Sequence, residues 1–338
     1  MKPCFIVAEL SANHHNDLAI AEQTIRAMAK AGADAVKLQT YKPESLTLPL
    51  QNDYFGKPLS GGLWDGRTLW DLYAEAALRY EWHKPLMELA HELGMVCFSS
   101  PFDFEAVTFL ESIGNPIYKI ASFEITDIPL IRACAATQKP VIISTGVATD
   151  SDIELALQAC FAEGNHDVTL LKCTSQYPAT IADANLLTMV DMRQRFKVQV
   201  GVSDHTAGHA VPVTAVALGA TVVEKHFVLD RSLGGADAAF SMEPDEFAAM
   251  VKAVRETEHA LGKVTYAVTE KDKLRRRSLF VSRPMKAGEP FTNDNVKSLR
   301  GGQGLAPTRL PEVLATVAAC DIPAGVPLKE SFIGAPTK

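Results

Sequence analysis

The 338-residue chain is 47% hydrophobic and 22% charged, and its 33 Lys plus Arg against 40 Asp plus Glu give a formal net charge of −7. This is the balance of a globular protein with a sizeable core, and it excludes disorder, a collagen-like repeat and a general nucleic-acid surface. No apolar run approaches the roughly 20 residues of a membrane span, and the start leads directly into Phe5-Ile6-Val7-Ala8-Glu9 with no signal-peptide core, so the expected location is the cytoplasm. Cys4, Cys97, Cys134, Cys160, Cys173 and Cys320 are scattered without a CxxC pair and read as small buried hydrophobes rather than as disulfides or zinc ligands.

Short β-rich runs alternate with amphipathic stretches up to about residue 262. The predicted strands are 5–9, 35–39, 96–100, 118–121, 141–144, 169–173, 198–201 and 222–226. Between them, helical spacing of apolar residues marks 18–31, 85–93, 153–161 and 246–261, with Gly32, Gly94 and Gly219 suited to the left-handed position after a helix. This rhythm predicts a closed (β/α)8 TIM barrel; an open doubly wound sheet is the alternative, but no GxGxxG follows the first strand. The connection from Thr40 to Trp82 is long for a βα loop and carries Gly56, Gly61, Gly62, Gly66, Trp64 and Trp70, so it is expected to lie over the barrel mouth as a lid or specificity loop. After Gly262 the pattern changes to a charged stretch, Lys271 to Arg277, a short strand at 278–282, and a Gly- and Pro-rich tail. The expected organisation is therefore a catalytic barrel over 1–265, a linker over 266–277 and a small β-rich domain over 278–338.

In barrel enzymes the chemistry sits at the C-terminal ends of the strands. Those positions hold Glu9, Asn13 and His14; Lys37 and Gln39; Ser99 and Ser100; Lys119, Ser122 and Glu124; Ser144 and Thr145; Thr174, Ser175 and Tyr177; Ser203, Asp204 and His205; and Glu224, Lys225 and His226. Charged side chains there cost several kcal/mol unless paired or bound. His205 and His226 end neighbouring strands, which lets two imidazoles converge on a divalent ion such as Mn²⁺, Co²⁺ or Zn²⁺. Lys37, Lys119 and Lys225, with Ser100, Ser122, Ser144 and Ser203, suggest a local cationic, hydroxyl-rich nest for phosphate or carboxylate. A lysine there is equally suited to a Schiff base, so a metal-free pyruvate aldolase using Lys119 or Lys225 is a rival reading. Gly234-Gly235-Ala236-Asp237 adds a flexible turn with one carboxylate.

The stretches Val7-Ala8-Glu9-Leu10-Ser11-Ala12-Asn13-His14, Lys37-Leu38-Gln39-Thr40-Tyr41, Ser203-Asp204-His205-Thr206 and Glu224-Lys225-His226-Phe227 resemble the sialic acid synthase family, which condenses phosphoenolpyruvate with an amino sugar. Leu63-Trp64-Asp65-Gly66-Arg67-Thr68-Leu69, Glu81-Trp82-His83-Lys84-Pro85-Leu86 and Lys119-Ile120-Ala121-Ser122-Phe123-Glu124-Ile125 are most similar to its pseudaminic acid synthase branch. The segment Ser298 to Pro307 resembles the antifreeze-like (SAF) domain that ends these synthases. The resemblance implies a divalent metal, Mn²⁺ first with Mg²⁺ or Co²⁺ as alternatives, on His205 and His226. It implies phosphoenolpyruvate on Lys119, Ser100, Ser122, Ser144, Ser175 and Ser203, with Lys37 beside them, and sugar contacts from Glu9, Gln39, Glu124, Tyr177 and Asp237. Glu9, Glu124, Lys119 and His226 are the expected catalytic residues. Arg300 matches an arginine that the family's small domain inserts into a partner subunit's site, which implies a domain-swapped homodimer. The acceptor implied is 2,4-diacetamido-2,4,6-trideoxy-L-altrose, with N-acetylneuraminic or legionaminic acid synthesis as the alternative. A sugar- or ice-binding module, suggested only by the tail, is the rival from another class. The sequence departs from the family pattern at His15-Asn16-Asp17, at Arg300-Gly301-Gly302 and at His209.

Overall fold

In the computed structural model, which describes residues 3–337, eight parallel strands close on one another in sequence order. They are β1 (Phe5–Glu9), β2 (Ala35–Thr40), β3 (Val96–Pro101), β4 (Tyr118–Ile120), β5 (Val141–Ser144), β6 (Val168–Cys173), β7 (Gln199–Ser203) and β8 (Val222–His226), with β1 also paired to β8. The expected barrel is the observed one, and the predicted strands differ from it by a residue or two at their ends. The largest difference is β7, which starts at Gln199 and extends to Ser203.

The barrel is built from two sets of apolar residues, as alternation along a strand requires. Val7, Ala35, Phe98, Ile142, Leu171 and Val222 form one buried cluster, while Ile6, Ala8, Val36, Leu38, Ile143, Leu170 and Val223 join the larger one shared with the helices. Two positions beyond the first set on their own strands stand Glu9, Lys37, Ser100, Ser144, Cys173 and Glu224. The same face thus changes from apolar to polar toward the strands' C-terminal ends.

Helices return the chain between strands. Leu18–Lys30 begins at Asp17, whose side chain accepts from the backbone of Ala19 and Ile20, and Gly32 follows it with φ 90°. The long connection after β2 is less irregular than expected, because Leu69–Ala76 is a helix capped by Thr68 and a second helix already begins at Tyr80, ahead of the predicted 85. Among the described residues no helix is long and apolar enough to cross a membrane.

The chain divides into two compact units, Met1–Gly262 and Lys263–Lys338. The second contains two antiparallel pairs, β9 (Arg277–Val281) with β10 (Val296–Arg300) and β11 (Thr316–Ala318) with β12 (Ile333–Pro336). Leu279, Val281, Met285, Phe291, Val296, Val313, Ala318, Ile322 and Leu328 form its own core. The charged stretch read as a linker is tied to this unit. Glu270–Lys273 is a short helix, and the backbone amides of Gly301 and Gly302 donate to the carbonyls of Arg276 and Leu274.

Candidate active site

Strand register brings the polar residues together. Glu9 lies opposite Lys37 on one side and His226 on the other, Gln39 opposite Ser100, and Ser203 opposite Glu224. In parallel pairing, opposed residues point the same way, so these side chains meet inside the mouth. Lys37 Nζ lies 2.9 Å from Glu9 and 3.0 Å from Glu224, Lys119 Nζ lies 3.3 Å from Glu224, and His226 Nε2 lies 3.2 Å from Glu9. Gln39 donates to Glu9 at 2.8 Å and Ser203 to Glu224 at 3.0 Å.

The lysines do not form the purely cationic nest expected, since Glu9 and Glu224 neutralise them. Burial favours neutral forms for all four groups, and mutual attraction decides which keep their charge. Against that burial penalty, His226 and the lysines hold Glu9 well below the usual carboxylate range, and Lys119 and Lys37 lower Glu224. Burial lowers Lys119, with Glu224 the main group opposing the shift. Lys225 must be removed from the nest. It follows Glu224 on the strand and so points out of the barrel, where its buried ammonium donates to Asp204 at 2.8 Å and to the carbonyl of Thr206 at 2.6 Å. Asn13 and His14 are likewise structural: Asn13 donates to the Phe227 carbonyl and Ser241, and His14 joins the Ala76 carbonyl to the Asn16 amide.

Next to Lys119 lies a pocket of hydroxyls. Among the described residues, the buried hydroxyls of Ser100 and Ser144 have no partner, and neither does one oxygen each of Glu124 and Glu224. A buried polar atom left unpartnered costs about 1 to 3 kcal/mol, which is recovered when a ligand supplies the partner. Ser122 and Ser175 complete the group around Gly146. The Gly146 amide donates to Ser122 at 3.2 Å, and a Cβ there would stand 2.0 Å from Ser175 Oγ and 2.8 Å from Ser122 Oγ. Only glycine lets these hydroxyls approach the backbone so closely. Burial pushes Glu124 up to about 7, an acid-base group poised near neutrality.

The two histidines lie with ring centroids 5.1 Å apart, walled by Phe240 and Tyr177. His205 Nδ1 is 3.1 Å from the Thr174 carbonyl, which can only accept, so Nδ1 donates there and Nε2 is the nitrogen left for a ligand. Burial lowers His226, with Glu9 and Asp237 opposing the shift, and among the described residues its buried Nδ1 has no hydrogen-bond partner, lying 3.8 Å from Asp237. His205 is raised, because contacts with Cys173 outweigh burial, and Cys173 is pushed down to about 7. Two convergent imidazoles with an orphaned ring nitrogen fit a divalent ion. Among the described residues no third His, Cys, Asp or Glu completes a ligand cluster, so the remaining positions fall to water or substrate. Asp237 is bonded to the Ser11 hydroxyl. Tyr177 is half-buried against His205. Arg300 belongs to the second unit, where it is exposed at the end of β10.

Two residues of the site, Glu224 and Gly146, have roles that the sequence pattern does not predict. Glu224 was visible as an acidic residue two before His226, hence on its face; Gly146 carries no signal except its place two residues past Ser144.

Residues 24–266 match the NeuB family and residues 276–333 the SAF domain. The chain is 47% identical to pseudaminic acid synthase of Campylobacter jejuni over 98% of its length and 96% of that protein's. It is 45% identical to pseudaminic acid synthase of Helicobacter pylori over 98% of both. The crystal structure of N-acetylneuraminic acid synthetase from Leptospira borgpetersenii, in complex with citrate, superposes with a TM-score of 0.71 at 32% identity, covering 80% of this chain and 90% of that one. A match through most of the barrel, with relatives similar over nearly the full length, places the chain in the NeuB family.

Proposed function

We propose that the chain is a cytoplasmic transferase that condenses phosphoenolpyruvate with 2,4-diacetamido-2,4,6-trideoxy-L-altrose and water, giving pseudaminic acid and phosphate. The observation that carries this reading is a buried hydroxyl and lysine pocket beside two convergent imidazoles, in a chain 47% identical to a pseudaminic acid synthase. A Schiff-base aldolase is disfavoured by the salt bridge that holds Lys119 on Glu224 and by the outward direction of Lys225.

Lys37 and Lys119, with the hydroxyls of Ser100, Ser122, Ser144, Ser175 and Ser203, hold the carboxylate and phosphate of phosphoenolpyruvate and aim its C3 at the aldehyde carbon. Glu9, Gln39, Tyr177 and Asp237 position the sugar. His205 and His226 would hold the divalent ion, Mn²⁺ before Mg²⁺ or Co²⁺, which when bound polarises a carbonyl oxygen. As C3 bonds to the aldehyde carbon, C2 becomes cationic and water adds to it. Glu124 accepts one proton of that water and returns it to the former aldehyde oxygen, left as an alkoxide when C3 attacked; the tetrahedral intermediate then breaks its C2–O bond, C2 becomes the ketone, and the second water proton leaves with phosphate. Phosphoenolpyruvate labelled with ¹⁸O at the bridging oxygen tests this: the label leaves in phosphate, and label retained in the sugar acid overturns C–O cleavage. Phosphate release assayed across amino sugars tests the acceptor, and a preference for N-acetylmannosamine overturns it.

The same reading assigns 1–265 to catalysis, 266–277 to a linker and 278–338 to the antifreeze-like domain, in a domain-swapped homodimer with Arg300 of one subunit completing the other's site. Supporting this, Phe104, Phe123, Val147, Ile181 and Leu187 are each exposed in the segments after β3 to β6, at the end of the barrel where a partner's arginine would enter.

A further inference from the structure

Trp64 lies in the long connection after β2, far in sequence from the histidines, yet two contacts tie it to them. Its indole N–H donates at 2.9 Å to the carbonyl of Ala236, the residue before Asp237. Its ring stands 6.0 Å from Tyr177, which packs at 4.6 Å on His205. Phe240 closes the same wall, 4.9 Å from His226 and 5.0 Å from Tyr177. The wall also runs from inside to outside: His226 and Phe240 are buried, whereas Trp64 is half-buried and its neighbour Leu63 is exposed. An acceptor whose aldehyde lies at the histidines therefore meets Phe240 and Tyr177 first and Trp64 at its far end.

We infer that Trp64 is a specificity-determining residue, whose indole face receives the deoxy methyl end of the acceptor and disfavours a hydroxymethyl group there. The inference rests on the functional reading above and adds to it the part of the sugar that is read. Aromatic faces gain from burying a methyl group but offer a hydroxyl no hydrogen bond. The indole N–H is already occupied by Ala236 and cannot serve the substrate. An apolar wall discriminates against an added hydroxyl by at most about 100-fold, which sets the size of the effect.

The test compares 2,4-diacetamido-2,4,6-trideoxy-L-altrose with its 6-hydroxy counterpart in phosphate-release assays on the full chain loaded with Mn²⁺. Wild type is expected to favour the deoxy sugar in kcat/KM by roughly 10- to 100-fold. Trp64→Phe, which keeps an apolar ring, should retain most of that ratio. Trp64→Gln, which keeps a donor for Ala236 but no apolar face, should bring the ratio to within about 3-fold of unity, with KM for phosphoenolpyruvate unchanged. If both variants lower the two sugars equally and keep the ratio, the role of Trp64 is structural and the inference is overturned, while the functional reading stands. Should wild type release phosphate only with N-acetylmannosamine, the functional reading fails first.

Discussion

Glu224 and Glu124 show how differently two buried carboxylates act in one mouth. Glu224 receives Lys37, Lys119 and Ser203 on one oxygen. It fixes the place of both amines and opposes the burial that lowers Lys119. In Glu224→Gln, Lys119 should discharge at lower pH, so KM for phosphoenolpyruvate is expected to rise about 10-fold and to climb further with pH, kcat changing less. Steady-state kinetics across pH checks this, and a KM independent of pH would leave Glu224 as mere scaffold. Among the described residues no cation lies at hydrogen-bond distance from Glu124, and burial pushes it up to about 7. As acceptor of the water proton it must be ionised, so kcat/KM should rise with pH through about 7, and Glu124→Gln should lose that limb. The same shift bears on stability with the opposite sign. The folded state holds this proton more tightly than the unfolded chain, so the contribution is full below the ordinary carboxylate value and is lost as pH rises through about 7. Thermal melts of Glu124→Gln should gain on wild type at pH 8 and not at pH 4.

At the scale of elements, β8 sets the division of labour. Glu224 and His226 face the mouth, and Lys225 between them faces the surrounding helices, fully buried against Asp204. Lys225→Met should leave Asp204 an unpaired buried charge and cost about 3 to 5 kcal/mol, read as a fall in melting temperature, with kcat per folded molecule near wild type. Borohydride should trap no pyruvate on it. This alternation also marks what the sequence could and could not disclose. Period and strand ends were legible, so Glu9, Lys37, Gln39, Ser100, Ser144 and His226 could be placed at the mouth before any coordinates. Closure of the barrel then made β1 and β8 neighbours and supplied the register that sets Glu9 against His226. The nearly apolar run that precedes Glu224 hid the direction of Lys225, because a strand buried on both faces shows no alternation of polarity to read. Gly146 was hidden for another reason: its contribution is the side chain it lacks, which shows only when Ser122 and Ser175 are seen around it.

At the scale of the molecule, the two units differ in what each can do alone. The barrel carries the unpartnered serine hydroxyls and the two convergent imidazoles, whereas the tail carries a separate small core and an exposed Arg300 with no cleft of its own described around it. A guanidinium suits a carboxylate or phosphate through its planar fork, and in a swapped dimer it serves the other subunit. Swapping has a consequence that an arginine acting within its own chain does not. Arg300→Ala and His226→Ala should each be nearly inactive as homodimers. In a heterodimer of the two, one site receives both substitutions and the other receives neither. Co-expressed in equal amounts, the variants form heterodimers in half of the population, and half of the sites in those are intact, so about a quarter of wild-type activity should return. Phosphate-release assays on dimers co-purified through two different affinity tags would enrich that fraction. If Arg300 acted within its own chain, each site of the heterodimer would keep one defect, and mixing would restore nothing.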